Sequence, residues 1–148
     1  MIQIRKCQGE DVDALVDLFD AYRIFYKMNS NKASARKFLQ ERITNKDSII
    51  FVSQNETGAL TGFVQLYPIF SSTRMKRLWL LNDLFVDPLQ RGKGISKKLI
   101  QQAQQLCVET QSCGMILETA KSNSIGNQLY PATGFELDSD HNYYSWDC

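Results

Sequence analysis

The stretch WLLNDLFVDPLQRGKGISKKLI, residues 79–100, joins an apolar strand pattern to an amphipathic helix through a loop with two glycines. The strand pattern stops at Pro88, and apolar residues at helical spacing begin at Ile95. A second apolar strand pattern, MILETA, follows that helix. Parallel neighbouring strands need a crossover connection, so this order predicts a parallel strand pair joined through the helix.

The remaining patterns predict a mostly antiparallel sheet with flanking helices. In chain order they are a short strand in IQIRKC, a helix from Asp11 to Tyr26, a helix over SNKASARKFLQERITN with Ser34 or Asn31 as its cap, a hairpin over residues 48–70, a strand over 75–87, a helix over 123–133 that ends near Gly134, and two terminal strands around the turn DSDHN. The predicted fold class is α/β, in the form of an α+β mixed sheet, in one domain covering residues 1–148.

The overall charge gives little attraction to nucleic acid or to an anionic membrane. The 148 residues include 17 Lys and Arg against 16 Asp and Glu, a formal net charge of +1. No apolar run approaches the roughly 20 residues of a membrane span, and the amino terminus lacks the apolar segment of a signal peptide. We therefore expect a cytoplasmic protein with no nucleic-acid or membrane partner.

The four cysteines do not form a metal or disulfide pattern. Cys7, Cys107, Cys113 and Cys148 include no CxxC spacing, and His141 is the only histidine. These observations argue against a zinc site and against a disulfide framework. Reduced, mostly buried thiols are expected.

The loop between the strand and the helix has the composition of an oxyanion site. A helix start exposes backbone N–H groups without internal partners, and Gly92 and Gly94 let a ligand approach the backbone. Arg91 and Lys93 add positive charge, and Ser96 adds a small hydroxyl side chain. A diphosphate matches this set of groups.

Two common nucleotide motifs are absent from the loop. A P-loop requires GxxxxGK[ST], and a dinucleotide fold requires GxGxxG with an acidic residue about 20 residues later. An ordinary glycine-containing turn with solvated cations therefore explains the loop as well as a phosphate site does. A nucleotide-binding protein that prefers ATP is a further alternative.

Three segments together favour a phosphate-containing cofactor, because they resemble one family in order and spacing. RGKGIS resembles the R/Q-x-x-G-x-G/A acetyl-coenzyme A motif of the GNAT superfamily of N-acetyltransferases, with Arg91 and Gly94 matching and Ser96 in place of the last Gly/Ala. LNDLFVDP is similar to the family's fourth strand, and NSIGNQLYPATGF is similar to its N-x-x-A-x-x-x-Y…GF segment, with Gly126 in place of Ala. The resemblance spans residues 79–135.

The resemblance implies a fold with splayed central strands that admit the pantetheine arm of acetyl-CoA. It implies cofactor contacts from the strand backbone around Leu84, Phe85 and Val86, from the backbone amides of Arg91, Gly92, Lys93, Gly94, Ile95 and Ser96, and from Asn123 and Tyr130. It also assigns Tyr130 as the general acid that protonates the leaving thiolate. A packed aromatic residue on the last helix is the alternative for Tyr130.

Asp83 is the candidate base that removes a proton from the acceptor amine. It interrupts the apolar strand WLLNDLFV, where a buried carboxylate is costly without a partner or a purpose. The spermidine/spermine acetyltransferases have a strand similar to LNDLFV, with Glu in place of Asn82. Asp83 as a structural hydrogen-bond acceptor is as consistent with the sequence as Asp83 in the role of a base or an amine-binding anion.

The first long helix supplies candidate acceptor-binding residues. Tyr22, Phe25 and Tyr26, together with Asn82, are placed in the acceptor groove by the resemblance, and an aromatic wall attracts an alkylammonium group. Aromatic residues at helical spacing are also typical of a simple core. The whole pattern looks like the histone and polyamine acetyltransferase branch and its bacterial relatives, which implies polyamines, amino acids or protein lysines as acceptors.

The sequence therefore predicts an N-acetyltransferase in which a primary amine attacks acetyl-CoA directly in a ternary complex. A small amine is favoured over chromatin, because the near-neutral chain has no added recognition domain. A catalytically silent, coenzyme A-binding regulatory module is the alternative. The resemblance also implies a homodimer, with the tail YYSW either in the contact or at a sheet edge.

Overall fold

The computed structural model describes all residues, Met1–Cys148, and separates into two compact units, residues 1–118 and 119–148. The elements of the first unit are β1 (Gln3–Lys6), α1 (Val12–Phe25), α2 (Lys32–Asn45), β2 (Ile49–Gln54), β3 (Leu60–Ser71), β4 (Lys76–Val86), α3 (Ile95–Glu109) and β5 (Met115–Ile116). The second unit contains α4 (Ser124–Ala132). No helix combines the length and the apolar character needed to cross a membrane.

The strands form one mixed sheet in the order β1-β2-β3-β4-β5. The first three pairings are antiparallel, and β4 pairs with β5 in parallel, across α3. The mixed α/β class, the hairpin and the parallel crossover predicted from the sequence are confirmed.

Side-chain alternation on the strands divides the core between two faces of the sheet. Ile50, Val52, Phe63 and Phe85 lie in one buried cluster with the apolar residues of α1 and α2. The alternate positions, such as Val64, are also fully buried, and α3 packs against β2, β3 and β4. The sheet is thus covered by helices, as its long apolar strands require.

Local capping residues set the two ends of α2. The Asn31 side chain accepts a hydrogen bond from the Ser34 amide at 3.1 Å, so Asn31, one of the two predicted residues, is the cap of α2. At the other end, Lys46 adopts a left-handed conformation with φ 54°. These two features fix α2 between short connections.

A bulge interrupts β4 at Asn82, and the pairing of β4 with β5 ends before it. Gln65 pairs with Asp83 and Leu66 pairs with Leu81, which leaves Asn82 without a partner on β3. On the other side of β4, pairing with β5 is confined to Trp79 and Leu80. The carboxyl half of β4 therefore has an open edge, as the resemblance to splayed strands implied.

One strand prediction is wrong in its length, and the predicted terminal strands and buried cysteines are not observed. MILETA pairs with β4 only at Met115 and Ile116, because the segment leaves β4 beyond Leu80. The tail forms no strands, because the Asp138 carboxylate accepts local hydrogen bonds from the Asp140 and His141 amides and the Tyr143 hydroxyl. The thiols are not mostly buried: Cys7, Cys107 and Cys113 are half-buried, and Cys148 is exposed in the tail.

Candidate functional site

The glycine loop before α3 has a backbone conformation that favours glycine. Gly92 has φ 78° and Gly94 has φ 73°, in the left-handed region that side chains disfavour. A Cβ built on Gly94 would find no atom within 4 Å, so the space above this backbone is open. The loop presents a bare, exposed backbone surface to a ligand.

The start of α3 adds hydrogen-bond donors to this surface. No side chain caps the helix, and its first amide bond to the loop runs from Lys98 to the Gly94 carbonyl at 3.2 Å. The amides that precede Lys98 have no partner inside the helix, and they carry the positive end of its dipole. Ile95 is 2% exposed, so its contribution to a ligand is limited to its backbone amide. This arrangement fits a diphosphate group.

The two loop cations are held by neighbours of the loop. The Arg91 Nε donates to the Val86 carbonyl at 3.1 Å, and its guanidinium lies 5.6 Å from the centre of the Phe85 ring. The Lys93 Nζ donates to Gln90 Oε1 at 2.7 Å. Arg91 therefore links the loop to the end of β4, while both cations stay at the exposed loop.

The open edge of β4 offers backbone groups that β5 does not pair, of which the Val86 carbonyl accepts the hydrogen bond from Arg91. The Asp87 amide donates to the Thr61 carbonyl at 2.9 Å, toward β3. Because backbone groups alternate in direction along a strand, those of Leu84 and Val86 face away from β3, where β5 gives no pairing. The Phe85 side chain is buried in the core beneath α1 and α2. An extended polar chain can pair with this edge as a strand would.

Asp83 is a buried carboxyl group at the bulge, 3% exposed. Its oxygens accept hydrogen bonds from Gln65 Nε2 at 2.5 Å and from Asn82 Nδ2 at 3.0 Å, and the Tyr22 side chain is a third partner. The bulge explains the Asn82 contact: in a regular strand, the side chains of Asn82 and Asp83 would point to opposite faces.

No cation compensates this carboxyl group, since every ion pair in the chain involves another acidic residue. Burial raises the pKa of Asp83, and the hydrogen bonds from Gln65, Tyr22 and Asn82 offset part of that rise. A carboxylate with a raised pKa is a stronger base than an ordinary one at neutral pH. Asp83 therefore has the chemistry of a proton acceptor.

Aromatic rings extend from this cluster to the surface. The Tyr22 ring lies 6.4 Å from that of Phe85 and 5.0 Å from that of Tyr26, whose ring is 5.2 Å from that of Phe25. Phe25 and Tyr26 are 53% and 44% exposed, whereas Tyr22 is half-buried. The structure thus brings Tyr22 together with Asn82 and Asp83, and it places Phe25 and Tyr26 outside the core.

Sequence reasoning missed two polar residues that organise this region. Gln65, 0% exposed, interrupts the apolar strand GFVQLY, which is the same signal that singled out Asp83. Asp20, 2% exposed, accepts hydrogen bonds from the Ser30 hydroxyl at 2.6 Å and the Asn31 amide at 2.8 Å. Asp20 ties the α1–α2 loop to α1 below the exposed rings.

The second unit places Asn123 and Tyr130 on the same short helix. Asn123 caps α4 by accepting a hydrogen bond from the Gly126 amide at 3.1 Å, and its Nδ2 donates to Thr119 Oγ1 at 3.0 Å. A Cβ on Gly126 would lie 2.6 Å from that Nδ2, which explains glycine at this position. The Tyr130 ring packs against Phe135, 5.7 Å away.

Comparisons with known proteins identify the family. The model of the acetyltransferase (GNAT) family matches residues 15–135. An uncharacterized N-acetyltransferase, YhfO of Bacillus subtilis strain 168, is 37% identical over 143 residues, 97% of this chain and 95% of YhfO. A probable acetyltransferase of Haemophilus influenzae is 29% identical over 136 residues, 92% of this chain and 91% of the relative.

Solved structures agree with the sequence comparisons. The crystal structure of a probable acetyltransferase has a TM-score of 0.94 and 36% identity, covering 99% of this chain and 97% of that one. Aminoglycoside N-acetyltransferase AAC(6')-Iy in complex with CoA has a TM-score of 0.83 at 19% identity, covering 100% and 96%, and this likeness supports the fold. The chain belongs to the GNAT family of acetyltransferases and is an enzyme that takes its acetyl group from acetyl-CoA.

Proposed function

We propose that the protein acetylates a primary amine by direct attack of that amine on acetyl-CoA in a ternary complex. The observation that carries this proposal is Asp83, a buried carboxylate without a cation at the bulge of β4. It lies between an open strand edge, which suits the pantetheine arm, and an exposed aromatic surface, which suits an alkylammonium group. The catalytic domain covers residues 1–148.

The cofactor is bound mainly through backbone groups. The diphosphate accepts hydrogen bonds from amides of the stretch 91–96, with positive charge from Arg91 and Lys93 and the Ser96 hydroxyl nearby. The pantetheine arm pairs with the edge of β4 around Leu84, Phe85 and Val86, through the backbone groups of Leu84 and Val86 that face away from β3. Asn123 gives a further contact. The open space above Gly94 and the uncapped start of α3 support this arrangement.

Two proton transfers accompany the reaction. The bound thioester supplies the acetyl group, and its sulfur leaves as a thiolate. Asp83 receives a proton from the acceptor ammonium, since only a neutral amine attacks a carbonyl carbon. Tyr130 donates a proton to the thiolate, as the family motif implies. The raised pKa of Asp83 supports its assignment as the acceptor of the first proton.

The acceptor is a small primary amine such as a polyamine or an amino acid, with a protein lysine as the second class. Tyr22, Phe25 and Tyr26 present ring faces and edges in one continuous cluster, and Asn82 is exposed beside it. Cations bind aromatic faces with about 0.5–2 kcal/mol, depending on desolvation. This acceptor range is that of the histone and polyamine branch which the sequence resembles.

Direct attack is favoured over acetylation of Cys7 or Cys107. Burial raises the pKa of the Cys7 thiol to about 11 and also raises that of Cys107. A thiol is nucleophilic as its thiolate, so these two cysteines are poor nucleophiles at neutral pH.

The location, oligomeric state and partners of the enzyme are proposed from the same sequence observations and family resemblance. We propose a cytoplasmic homodimer that has no nucleic-acid or membrane partner. The exposed side chains of Tyr143, Tyr144 and Trp146 support a role for the tail in the dimer contact.

Acetyl-CoA consumption, measured as free thiol release, tests the proposed function. The acceptor panel contains polyamines, free amino acids and a lysine-containing peptide. Thiol release that depends on one class of amine is the expected result. If no amine increases thiol release while calorimetry detects coenzyme A binding, the enzyme does not use a primary amine from these classes, and the proposal is wrong.

Tyr130→Phe is expected to lower kcat about tenfold or more with little change in acetyl-CoA affinity, because it removes a proton donor and keeps the ring packed on Phe135. Steady-state kinetics and calorimetry measure the two quantities. Tyr143→Phe, at an exposed position in the tail, is the matched control. Unchanged kcat in Tyr130→Phe would leave the thiolate to be protonated by water or by the amine.

A further inference from the structure

Gln65 is a buried amide whose hydrogen bonds are incomplete. It lies directly across from Asp83 in the β3–β4 register, and its Nε2 donates to Asp83 Oδ2 at 2.5 Å. Its Oε1 is buried and accepts no hydrogen bond, and the Ser48 hydroxyl is the only other such side-chain atom in the chain. A buried acceptor without a donor costs about 1–3 kcal/mol. Gln65 is therefore poorly explained as a stabilising residue.

A second buried polar pair in the same sheet shows the contrast. Ser53 and Thr61 face each other across β2 and β3 with 2.8 Å between their hydroxyl oxygens, and Thr61 also donates to the Ser53 carbonyl at 3.3 Å. That pair satisfies its own hydrogen bonds. Gln65 instead directs its donor group to Asp83 and leaves its acceptor unused. The one hydrogen bond of the Gln65 amide therefore stabilises the Asp83 carboxylate.

Tyr22 connects the buried carboxylate with the surface. The carboxyl group of Asp83 is too deeply buried, at 3% exposure, for free contact with an amine in the groove. The hydroxyl of the half-buried Tyr22 donates to the Asn82 carbonyl at 3.2 Å and is also hydrogen-bonded to Asp83. A hydroxyl group rotates between such acceptors and can accept a hydrogen bond itself.

We propose that Tyr22 and Asp83 form a proton relay for the acceptor amine and that Gln65 is the positioning residue that holds Asp83 ready to receive the proton. The inference rests on the proposed function and identifies the path by which its first proton leaves. One ammonium proton passes to the Tyr22 oxygen while the Tyr22 hydroxyl proton passes to an Asp83 oxygen.

The remaining bonds balance the reaction. The nitrogen lone pair forms the C–N bond to the acetyl carbon, and the C–S bond of the thioester breaks. The thiolate takes up one proton, which Tyr130 gives as the family motif implies. The nitrogen releases its second proton to solvent, from which Tyr130 is reprotonated. Asp83 returns its proton to solvent through Tyr22, so each turnover releases one proton, one thiol and one amide.

Few groups around Asp83 other than Tyr22 could exchange a proton with its carboxylate. Tyr22 faces Asp83 from α1, Gln65 and Tyr67 face it from β3, and Asn82 bonds to it from its own strand. Burial and the nearby Asp83 raise the pKa of Tyr67, so Tyr67 stays neutral. Arg42 and Asp47 are further charges near Tyr67; they form an ion pair with each other, with 2.7 Å between Nε and Oδ1.

A double-mutant cycle tests whether Tyr22 and Asp83 act as one unit. Tyr22→Phe and Asp83→Asn are each expected to lower kcat/KM for the amine about 10²–10⁴-fold. The double variant is expected to match the slower single variant, because a relay that has lost one member gains nothing from the other. If the double variant instead shows the product of the two single losses in kcat/KM, Tyr22 and Asp83 do not act as one relay.

The test of Gln65 uses pH as the variable. Gln65→Met removes the donor at nearly constant volume, and its loss raises the pKa of Asp83, because a hydrogen bond to the charged form lowers that pKa. The acidic limb of the kcat/KM profile is expected to move to higher pH by about one unit. Gln65→Leu replaces Gln65→Met if that variant folds poorly, and it is expected to shift the limb in the same direction, because it also removes the donor.

Ser53→Ala is the structural control, because it breaks a buried hydrogen bond in the same sheet. It is expected to lower thermal stability without moving the acidic limb. An unmoved limb in both Gln65 variants, or an equal movement in Ser53→Ala, would overturn the positioning role.

Carboxyl-carbon NMR separates this inference from the proposed function. Titration of Asp83 in the ligand-free enzyme is expected to show a higher pKa in Gln65→Met than in the wild type. If the wild-type enzyme acetylates no amine, the proposed function fails whatever this titration shows. An unchanged Asp83 titration in an active enzyme would reject the Gln65 assignment alone.

Discussion

Asp83→Asn is expected to lower kcat about 10²–10⁴-fold while leaving the folded enzyme at least as stable at neutral pH. The catalytic loss follows from removal of the proton acceptor. The stability result follows from burial, which raises the pKa of Asp83 in the folded state above its value of about 3.9 in the unfolded chain. The substitution is therefore expected to lower kcat without lowering the stability of the folded enzyme.

The sign of the pH effect is set by which state ionises first. Below the unfolded pKa, Asp83 is protonated in both states and does not oppose folding. As pH rises toward the folded pKa, the unfolded state ionises first, so the wild type loses stability that Asp83→Asn keeps. The Tm of the variant relative to the wild type is expected to increase from about pH 4 up to the folded pKa of Asp83, by roughly 2–4 °C per kcal/mol.

Calorimetric melting curves and steady-state rates at matched pH values check both halves of this prediction. Asp138→Asn is the control, because its carboxylate is engaged in the tail. Full turnover in Asp83→Asn would remove Asp83 from the mechanism. A stability difference that shrinks as pH rises would mean that the folded state favours the ionised carboxylate.

Gly94→Val is expected to weaken acetyl-CoA binding about 10–100-fold. Gly94 has φ 73°, where a β-branched residue is strained by at least about 1–3 kcal/mol. The new side chain also enters the open space above the backbone, where the diphosphate is expected to lie. Relief of strain would move the amides at the start of α3, so both effects act on the same ligand. Calorimetric titration with coenzyme A measures the change.

Gly58→Val is the matched control for backbone strain. Gly58 has φ 86° in the turn between β2 and β3, and it is not one of the residues that we expect to contact acetyl-CoA. It is expected to lose stability and to keep its coenzyme A affinity. Equal weakening of binding by both variants would attribute the Gly94 effect to general destabilisation. Unchanged affinity in a folded Gly94→Val would reject the proposed diphosphate site at residues 91–96.

The sequence predicts elements well where local chemistry agrees with long-range packing. The crossover through α3 is foreseen because a strand pattern, two glycines and an amphipathic pattern follow each other without a gap. The prediction of strands in the tail is wrong although polar and apolar residues alternate there as in a strand. The Asp138 carboxylate instead accepts hydrogen bonds from the nearby Asp140 and His141 amides. Local hydrogen bonds can compete with sheet pairing, and sequence patterning does not weigh the two.

The candidate site is predictable in its residue types and less so in its contacts. Asp83 stands out as a charge in an apolar strand, and Gln65 gives the same type of signal one strand earlier. Their pairing depends on the β3–β4 register and on the bulge at Asn82, which no short-range pattern contains. The bonds of Arg91 to Val86 and of Tyr22 to Asn82 likewise depend on the assembled fold.

Direct transfer to a primary amine is tested by measuring two products together, the free coenzyme A thiol and the acetylated acceptor. Initial rates are recorded while the concentrations of both substrates are varied. We predict one acetylated amine per thiol and initial-rate lines that intersect, as a ternary complex requires. Thiol release without an acetylated acceptor, or parallel lines together with an acetylated cysteine, would contradict direct transfer to a primary amine.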